Sequence, residues 1–125
     1  MNRLFSVFAL SLVTVLGGGI LQAHGSAIPK HGGIAVMSGE TVFELVVSGD
    51  KAEVYVVDDG DDVNSAAFTA KLMVNLGGKA TECELKPAGG NKFVATGVSI
   101  AKGAAVTVRI RQADQKQQFA MFLIK

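Results

Sequence analysis

The sequence predicts one all-β domain, and three observations support this fold class. Apolar and polar residues alternate from Ile34 onward, and turn-forming residues recur at short intervals. No stretch repeats its apolar residues with a helical period. We therefore expect the strands to pack as a two-sheet sandwich, with a small barrel as the alternative.

Residues 1–23 have the layout of a secretory signal peptide. A short basic start precedes an apolar stretch over residues 4–16, and Ala23 is small enough for the last position before cleavage. An uncleaved anchor is the alternative because residues 4–23 could cross a bilayer, but three consecutive glycines argue against a membrane helix. We expect cleavage after Ala23, a mature chain beginning at His24, and a periplasmic location.

Residues 24–125 are enough for one domain with a modest core. All 11 acidic residues and 11 of the 12 basic ones lie in this part, so its formal charge is zero. A neutral domain predicts no attraction to nucleic acid or to anionic membranes, and we expect no membrane span after cleavage. Cys83 is the single cysteine of the chain, so the fold has no internal disulfide.

The first half of the domain predicts a lead strand and a hairpin. The lead strand covers residues 34–37, and the hairpin joins residues 41–47 to 52–58 through a Ser-Gly-Asp turn. The side chains expected to face the core are Phe43, Leu45 and Val47 in the first arm and Val54 and Val56 in the second.

The second half predicts another hairpin and three further strands. Residues 68–75 and 80–86 pair around Gly77-Gly78, and strands follow at 92–96, 104–111 and 118–124. The expected core residues are Phe68, Ala70, Leu72, Val74, Thr81, Cys83, Leu85, Val106, Val108 and Ile110. Seven or eight strands in about 90 residues are typical of an immunoglobulin-like or cupredoxin-like β-sandwich over residues 34–125.

The two histidines of the chain, His24 and His31, are the first candidate metal ligands. Both lie in residues 24–33, which we expect to form a flexible N-terminal leader, and imidazole is the commonest neutral ligand for borderline metals. If cleavage follows Ala23, the α-amine and imidazole of His24 could chelate Cu(II), with His31 as a third nitrogen, in an arrangement that resembles a histidine brace. The alternative is that both histidines are solvated residues of the leader.

Four short stretches carry a family resemblance. They are residues 29–33 (PKHGG), 43–45 (FEL), 54–56 (VYV) and 85–92 (LKPAGGNK). In these stretches the chain resembles small periplasmic proteins found with heavy-metal efflux systems. The resemblance implies binding of copper or another divalent cation, and a metal-efflux component as a partner.

The acidic turn after residue 57 departs from that group, which often has Asp-His-Gly where this chain has Asp58-Asp59-Gly60. A carboxylate thus replaces an imidazole, which favours harder, oxygen-rich coordination or the loss of tight binding. Asp58 and Asp59 are candidate ligands because close carboxylates repel and a cation would relieve the repulsion. A solvated turn is the alternative.

Two sulfur-containing residues, Met37 and Cys83, are considered as a metal ligand or a nucleophile. Met37, six positions after His31, is a candidate soft ligand, whereas Cys83 shares its expected face with Thr81 and Leu85 and is predicted to be a small core residue. No serine-nucleophile elbow, phosphate-binding loop, dinucleotide fingerprint or metalloprotease motif is present. We therefore expect no enzymatic activity.

The leading hypothesis is a periplasmic metal-binding protein that acts in metal tolerance or efflux by capture and handover. The rival hypothesis is an interaction module that docks through a sheet face or edge. It depends on residues 118–124, whose two faces are both apolar. Such a strand is either central in a sheet or covered by another surface, so its position in the fold is informative.

Overall fold

Antiparallel strands dominate the computed structural model, which describes residues 27–125, and the predicted all-β class is confirmed. A single short 3-10 turn, Ser65–Ala67, interrupts the strands of this part of the chain. The nine strands are β1 (Ile34–Ser38), β2 (Thr41–Ser48), β3 (Lys51–Asp58), β4 (Asp61–Asp62), β5 (Phe68–Leu76), β6 (Lys79–Pro87), β7 (Lys92–Thr96), β8 (Ala105–Gln112) and β9 (Gln117–Leu123).

The sheet follows one path, β1-β2-β3-β7-β6-β5-β8-β9, and β4 pairs with β3 beside it. Both predicted hairpins are present, β2 with β3 and β5 with β6. The two ends of the path, β1 and β9, contact each other. The sheet therefore curls into a nearly closed structure between a sandwich and a barrel.

The core lies inside this curled sheet, where every second side chain along most of β2, β3, β5, β7, β8 and β9 is buried. The predicted inner faces of β3, β5 and β8 are confirmed, from Val54 and Val56 to Val106 and Val108. Val47 is an exception, being 38% exposed, because it is the last inward position before the turn at Gly49 and Asp50. Thr81 is also exposed, close to the turn between β5 and β6.

The acidic turn after residue 57 is present and forms the tip of a short hairpin. Asp58 pairs with Asp61, so Asp59 and Gly60 form a two-residue turn between β3 and β4, with φ of 48° and 81°. Aspartate and glycine are the residues that tolerate such positive φ angles in tight hairpins. Strand β4, which the sequence did not predict, is thus the short return arm of this turn.

Strand β9 lies at the end of the path and carries one buried and one exposed apolar face. Ala120 and Phe122 are buried, whereas Phe119, Met121 and Leu123 are 60–64% exposed. The strand is therefore not central in the sheet. Within residues 27–125 no helix is long and apolar enough to span a membrane.

Candidate metal site

A buried carboxylate on the outer face of the sheet organises the candidate site. Glu44 lies in β2 between Phe43 and Leu45, which point into the core, so strand alternation directs Glu44 to the opposite face. It is only 4% exposed, because residues 27–33 cross this face and bond to it. We call residues 27–33 the N-terminal strap.

Four hydrogen bonds join the strap to the Glu44 carboxylate. Oε1 accepts from the backbone N–H of Lys30 at 2.8 Å and lies 2.9 Å from Nδ1 of His31. Oε2 accepts from the backbone N–H groups of His31 at 2.7 Å and Gly33 at 3.0 Å. Residues 30–33, part of the segment expected to be flexible, are thus anchored to β2.

The two glycines of the strap permit this close approach. A Cβ at Gly33 would overlap the backbone carbonyl oxygen of Leu45, so no larger residue can bring the strap onto β2 in the same position. Gly32 has a φ of 76°, a left-handed conformation that L side chains rarely adopt. The His-Gly-Gly sequence is therefore what lets the strap turn and deliver three N–H groups to one carboxylate.

The His31 ring is held on its face by Tyr55 of β3. The two rings are stacked, with centroids 3.6 Å apart and planes inclined by 4°. Tyr55 is directly opposite Glu44 in the sheet, so one side chain binds the edge of the imidazole and the other its face. The His31 side chain is 41% exposed and remains accessible from the outside.

A second carboxylate fixes Tyr55. The phenol O–H donates to Oε2 of Glu53 at 2.9 Å, and Glu53 also pairs with Lys51 at 2.8 Å and Lys92 at 3.4 Å. The ammonium of Lys92 lies 5.9 Å from the centroid of the Tyr55 ring, within cation–π range. Hydrogen bonds from Lys51 and Tyr55 lower the pKa of Glu53 from 4.5 to about 2, although burial opposes them.

The protonation state of Glu44 determines which nitrogen of His31 is available. Burial raises the pKa of Glu44, but the hydrogen bonds from the His31 ring and from three backbone N–H groups outweigh it, and the pKa lies below 4.5. The carboxylate is therefore ionised at neutral pH and can only accept hydrogen bonds. Nδ1 of His31 must carry the proton of this pair, and in the neutral ring Nε2 has a lone pair for a ligand.

An open cleft of about 440 Å³ lies beside this ring. Its lining includes His31, Met37 of β1 and Asp62 of β4, around a floor of Val42 and Val57. Imidazole nitrogen, thioether sulfur and carboxylate oxygen thus surround a partly apolar floor.

The structure brings together only part of the predicted ligand set. His31 and Met37 line the same cleft. The candidate Asp58 accepts a hydrogen bond from the Thr41 hydroxyl at 2.7 Å, and Asp59 occupies the two-residue turn. His24 lies outside the described residues. Among residues 27–125 no three histidine, cysteine, aspartate or glutamate side chains are grouped closely enough to hold a metal ion.

Glu44 and Tyr55 both contact His31, and the sequence analysis did not propose either as a site residue. A signal for Glu44 exists, because it is the one charged side chain on a strand face shared with Val42 and Val46. An isolated carboxylate on an apolar face indicates a buried partner. Nothing in the sequence indicates that this partner is a backbone segment 11 to 14 positions earlier.

The four short stretches singled out in the sequence, 29–33, 43–45, 54–56 and 85–92, converge at this site. Stretch 29–33 supplies His31, stretch 43–45 supplies Glu44, and stretch 54–56 supplies Tyr55. From stretch 85–92, Lys92 reaches Tyr55, and the Asn91 side chain donates to the backbone carbonyl of Val56 at 3.0 Å. Residues that are distant in sequence therefore form one continuous arrangement on the outer face.

Cys83 is half-buried and packs against the core. Burial raises the pKa of its thiol, and the neighbouring charge of Glu82 raises it further. A thiol with a raised pKa is a weak nucleophile at neutral pH, in agreement with the structural role predicted for Cys83.

Comparison of the chain with models of protein families, with curated proteins and with solved structures finds no match.

Proposed function

We propose that the protein is an exported metal-binding protein that takes copper or another divalent ion in the cleft beside the N-terminal strap, through Nε2 of His31. The observation that carries this proposal is the 2.9 Å contact between the Glu44 carboxylate and Nδ1 of His31. Histidines that bind metals generally donate their second ring nitrogen to a carboxylate or carbonyl, which fixes the tautomer and makes the ligand more basic.

The His31 side chain is already fixed in orientation before any ion binds. Stacking on Tyr55 fixes the plane of the His31 ring, and the hydrogen bond to Glu44 fixes its rotation in that plane. A side chain that is already ordered loses little conformational entropy on binding, so less of the interaction energy is spent on ordering. A purely structural histidine would not need to line an open cleft, as His31 does.

The donors near the cleft favour a borderline or soft ion. His31 offers a nitrogen, Met37 a thioether and Asp62 a carboxylate, and copper accepts all three types. In a chain cleaved after Ala23, the imidazole and α-amine of His24 would be further nitrogen donors close in sequence to the strap. The ion is cargo in this proposal, so the protein captures and releases it without breaking bonds.

The resemblance to small periplasmic proteins of heavy-metal efflux systems supports the same function, since the four stretches that carry it form the site. In that setting a component of a metal-efflux system would receive the ion. We therefore place the protein in metal tolerance or efflux, outside the cytoplasm.

Titration calorimetry with Cu(II) and Zn(II) tests the proposal on the protein as its cell produces it. The His31→Phe variant retains an aromatic ring for stacking on Tyr55 but lacks the ligand nitrogen. We expect it to weaken binding by more than about 100-fold, because loss of an outer partner alone costs about 10- to 100-fold. The matched control is Met73→Leu, at a methionine of similar exposure on β5, compared with Met37→Leu at the cleft.

Unchanged affinity in His31→Phe would overturn the proposal. If His31→Phe weakens binding while Met37→Leu and Met73→Leu behave alike, the ion is held by His31 without the thioether. Intact mass of the purified protein under native and denaturing conditions would report the cleavage point and any bound metal together.

The second candidate function, an interaction module, is favoured by the exposed side of β9. Phe119, Met121 and Leu123 form an apolar column there, which is uncommon on a surface that faces water alone.

A further inference from the structure

The apolar column of β9, formed by Phe119, Met121 and Leu123, lies on the outer face of the sheet and extends across its neighbours. Met121 is directly opposite Thr107 of β8, which in turn is opposite Met73 of β5. Met73 is 40% exposed, and the three side chains of the column are 60–64% exposed. Four large apolar side chains therefore share one outward surface.

Basic side chains border this surface. Arg109 is directly opposite Phe119, and Lys71 of β5 is opposite Arg109 on its other side. Arg111, two positions along β8, is on the same face, and all three side chains are exposed. Lys71 pairs with Glu82 at 3.2 Å, whereas neither arginine has an ion-pair partner within residues 27–125.

The charge of the domain is strongly uneven, although its sum is zero. Residues 27–66, which form β1 to β4, contain eight acidic and two basic residues. Residues 67–125, which form β5 to β9, contain three acidic and nine basic residues. Because β1 to β3 and β5 to β9 each form a continuous block of the strand path, one side of the domain is acidic and the other is basic.

The zero net charge of the domain therefore does not determine the local electrostatic potential that a partner meets at β9. A domain of about 100 residues has a radius of gyration of about 13 Å, whereas charges are screened over about 8 Å at physiological salt. At the β8 and β9 face the nearby charges are Lys71, Arg109 and Arg111, with Glu82 and Glu84 on β6 beside them, so a partner that approaches β8 and β9 meets a local excess of positive charge. The expectation of no attraction to anionic membranes depends on the net charge of the whole domain, and the local charge of this face differs from that sum.

Pairing with a second copy of the chain is disfavoured by the same charges. A two-fold contact centred on Phe119 would place Arg109 of one molecule near the same residue of the other. Like charges in a contact are destabilising, so this face suits an anionic partner better than its own copy.

We propose that the outer face of β8 and β9 docks on the surface of an anionic phospholipid bilayer, with Phe119, Met121 and Leu123 inserted between lipid chains and the two arginines at the phosphates. Outward side chains on a curled sheet protrude from a convex surface, which fits a deformable lipid interface. Apolar insertion combined with attraction of basic residues to anionic lipid is the usual basis of reversible membrane binding. This inference does not depend on metal binding, since it uses none of the residues of the cleft.

The chain contains no tryptophan, so a single Phe119→Trp substitution gives a site-specific probe of insertion. The protein is purified after export, and intact mass confirms that residues 1–23 are absent, because that apolar segment would itself bind both kinds of vesicle. The control is Val47→Trp, at an exposed apolar position on the acidic side. Each variant is titrated with phosphatidylcholine vesicles and with vesicles that also contain phosphatidylglycerol, including brominated lipids as quenchers.

We expect a blue shift and quenching of the tryptophan at position 119 with anionic vesicles, none with phosphatidylcholine alone, and no change for the tryptophan at position 47. Adding Arg109→Gln and Arg111→Gln should weaken the anionic binding about 25-fold, at about fivefold for each basic residue near the surface. Three results would overturn the inference. They are an unchanged spectrum at position 119, an equal response to both vesicle types, and a shift that follows protein concentration without lipid, which would indicate a second copy.

Discussion

The Glu44 carboxylate and the His31 imidazole are 2.9 Å apart, and this contact connects the stability of the N-terminal strap to the availability of a ligand nitrogen. The same carboxylate receives three backbone N–H groups of the strap. One side chain therefore holds a segment in place and sets the tautomer of the histidine within it. The predictions below separate these two roles.

Replacing Glu44 with glutamine should destabilise the protein by about 1–3 kcal/mol. The four strap donors bond to two carboxylate oxygens of Glu44, whereas a glutamine side chain has one acceptor oxygen. Urea denaturation measures the change in the free energy of unfolding. Glu84→Gln is the control, since Glu84 is an exposed glutamate within strand β6 and should change stability by less than about 0.5 kcal/mol. Equal effects of the two substitutions would contradict the anchoring role of Glu44.

The two strap glycines should differ in their tolerance of alanine. Gly33→Ala places a Cβ against the Leu45 carbonyl and must displace the strap, whereas at Gly32 the added Cβ meets no atom within 4 Å and costs only the strain of its positive φ. That strain is about 1–2 kcal/mol. We expect a larger loss of thermal stability for Gly33→Ala than for Gly32→Ala, and the reverse order would argue against the close approach of strap and strand.

Stability should fall in acid as Glu44 and Glu53 take up protons. Both groups have a pKa below the ordinary 4.5, and that of Glu53 is about 2, so the unfolded chain binds protons first as the pH decreases. Their contribution is complete well above pH 4.5 and is lost as the pH falls from about 4.5 toward 2. Urea midpoints measured at pH 7, 4.5, 3 and 2 test this, and Glu53→Gln should flatten the decrease.

The alternation of the strands made most of the core predictable from the sequence, because a period of two assigns Val106 and Val108 to one face without knowledge of the partner strands. The same rule assigned Glu44 and Tyr55 to the outside and could not indicate that residues 27–33 cover that outside. It also could not place β9, since a strand with two apolar faces fits a central position as well as an edge. The path of the strands, set by contacts far apart in sequence, decides both.

Stacking on Tyr55 should matter for metal affinity through its ring and not through its hydroxyl. Tyr55→Phe keeps the face on which His31 lies, so Cu(II) affinity should stay within about twofold. Tyr55→Ala removes that face and should weaken binding about 10-fold, in the range typical of partners that orient a ligand. Calorimetry on the two variants checks the order, and an equal loss in both would assign the effect to the bond between Tyr55 and Glu53.

The central claim is that His31 coordinates Cu(II). Electron spin echo envelope modulation (ESEEM) spectroscopy of the Cu(II)-loaded protein tests it most directly, because it detects the remote nitrogen of a coordinated imidazole. In the His24→Ala variant, His31 is the one histidine of the chain, and the account predicts a clear imidazole signal. That signal should change in quadrupole coupling when Glu44→Gln is added, since the remote nitrogen is the Nδ1 that Glu44 binds. Absence of an imidazole signal in His24→Ala, or a signal indifferent to Glu44→Gln, would contradict the account.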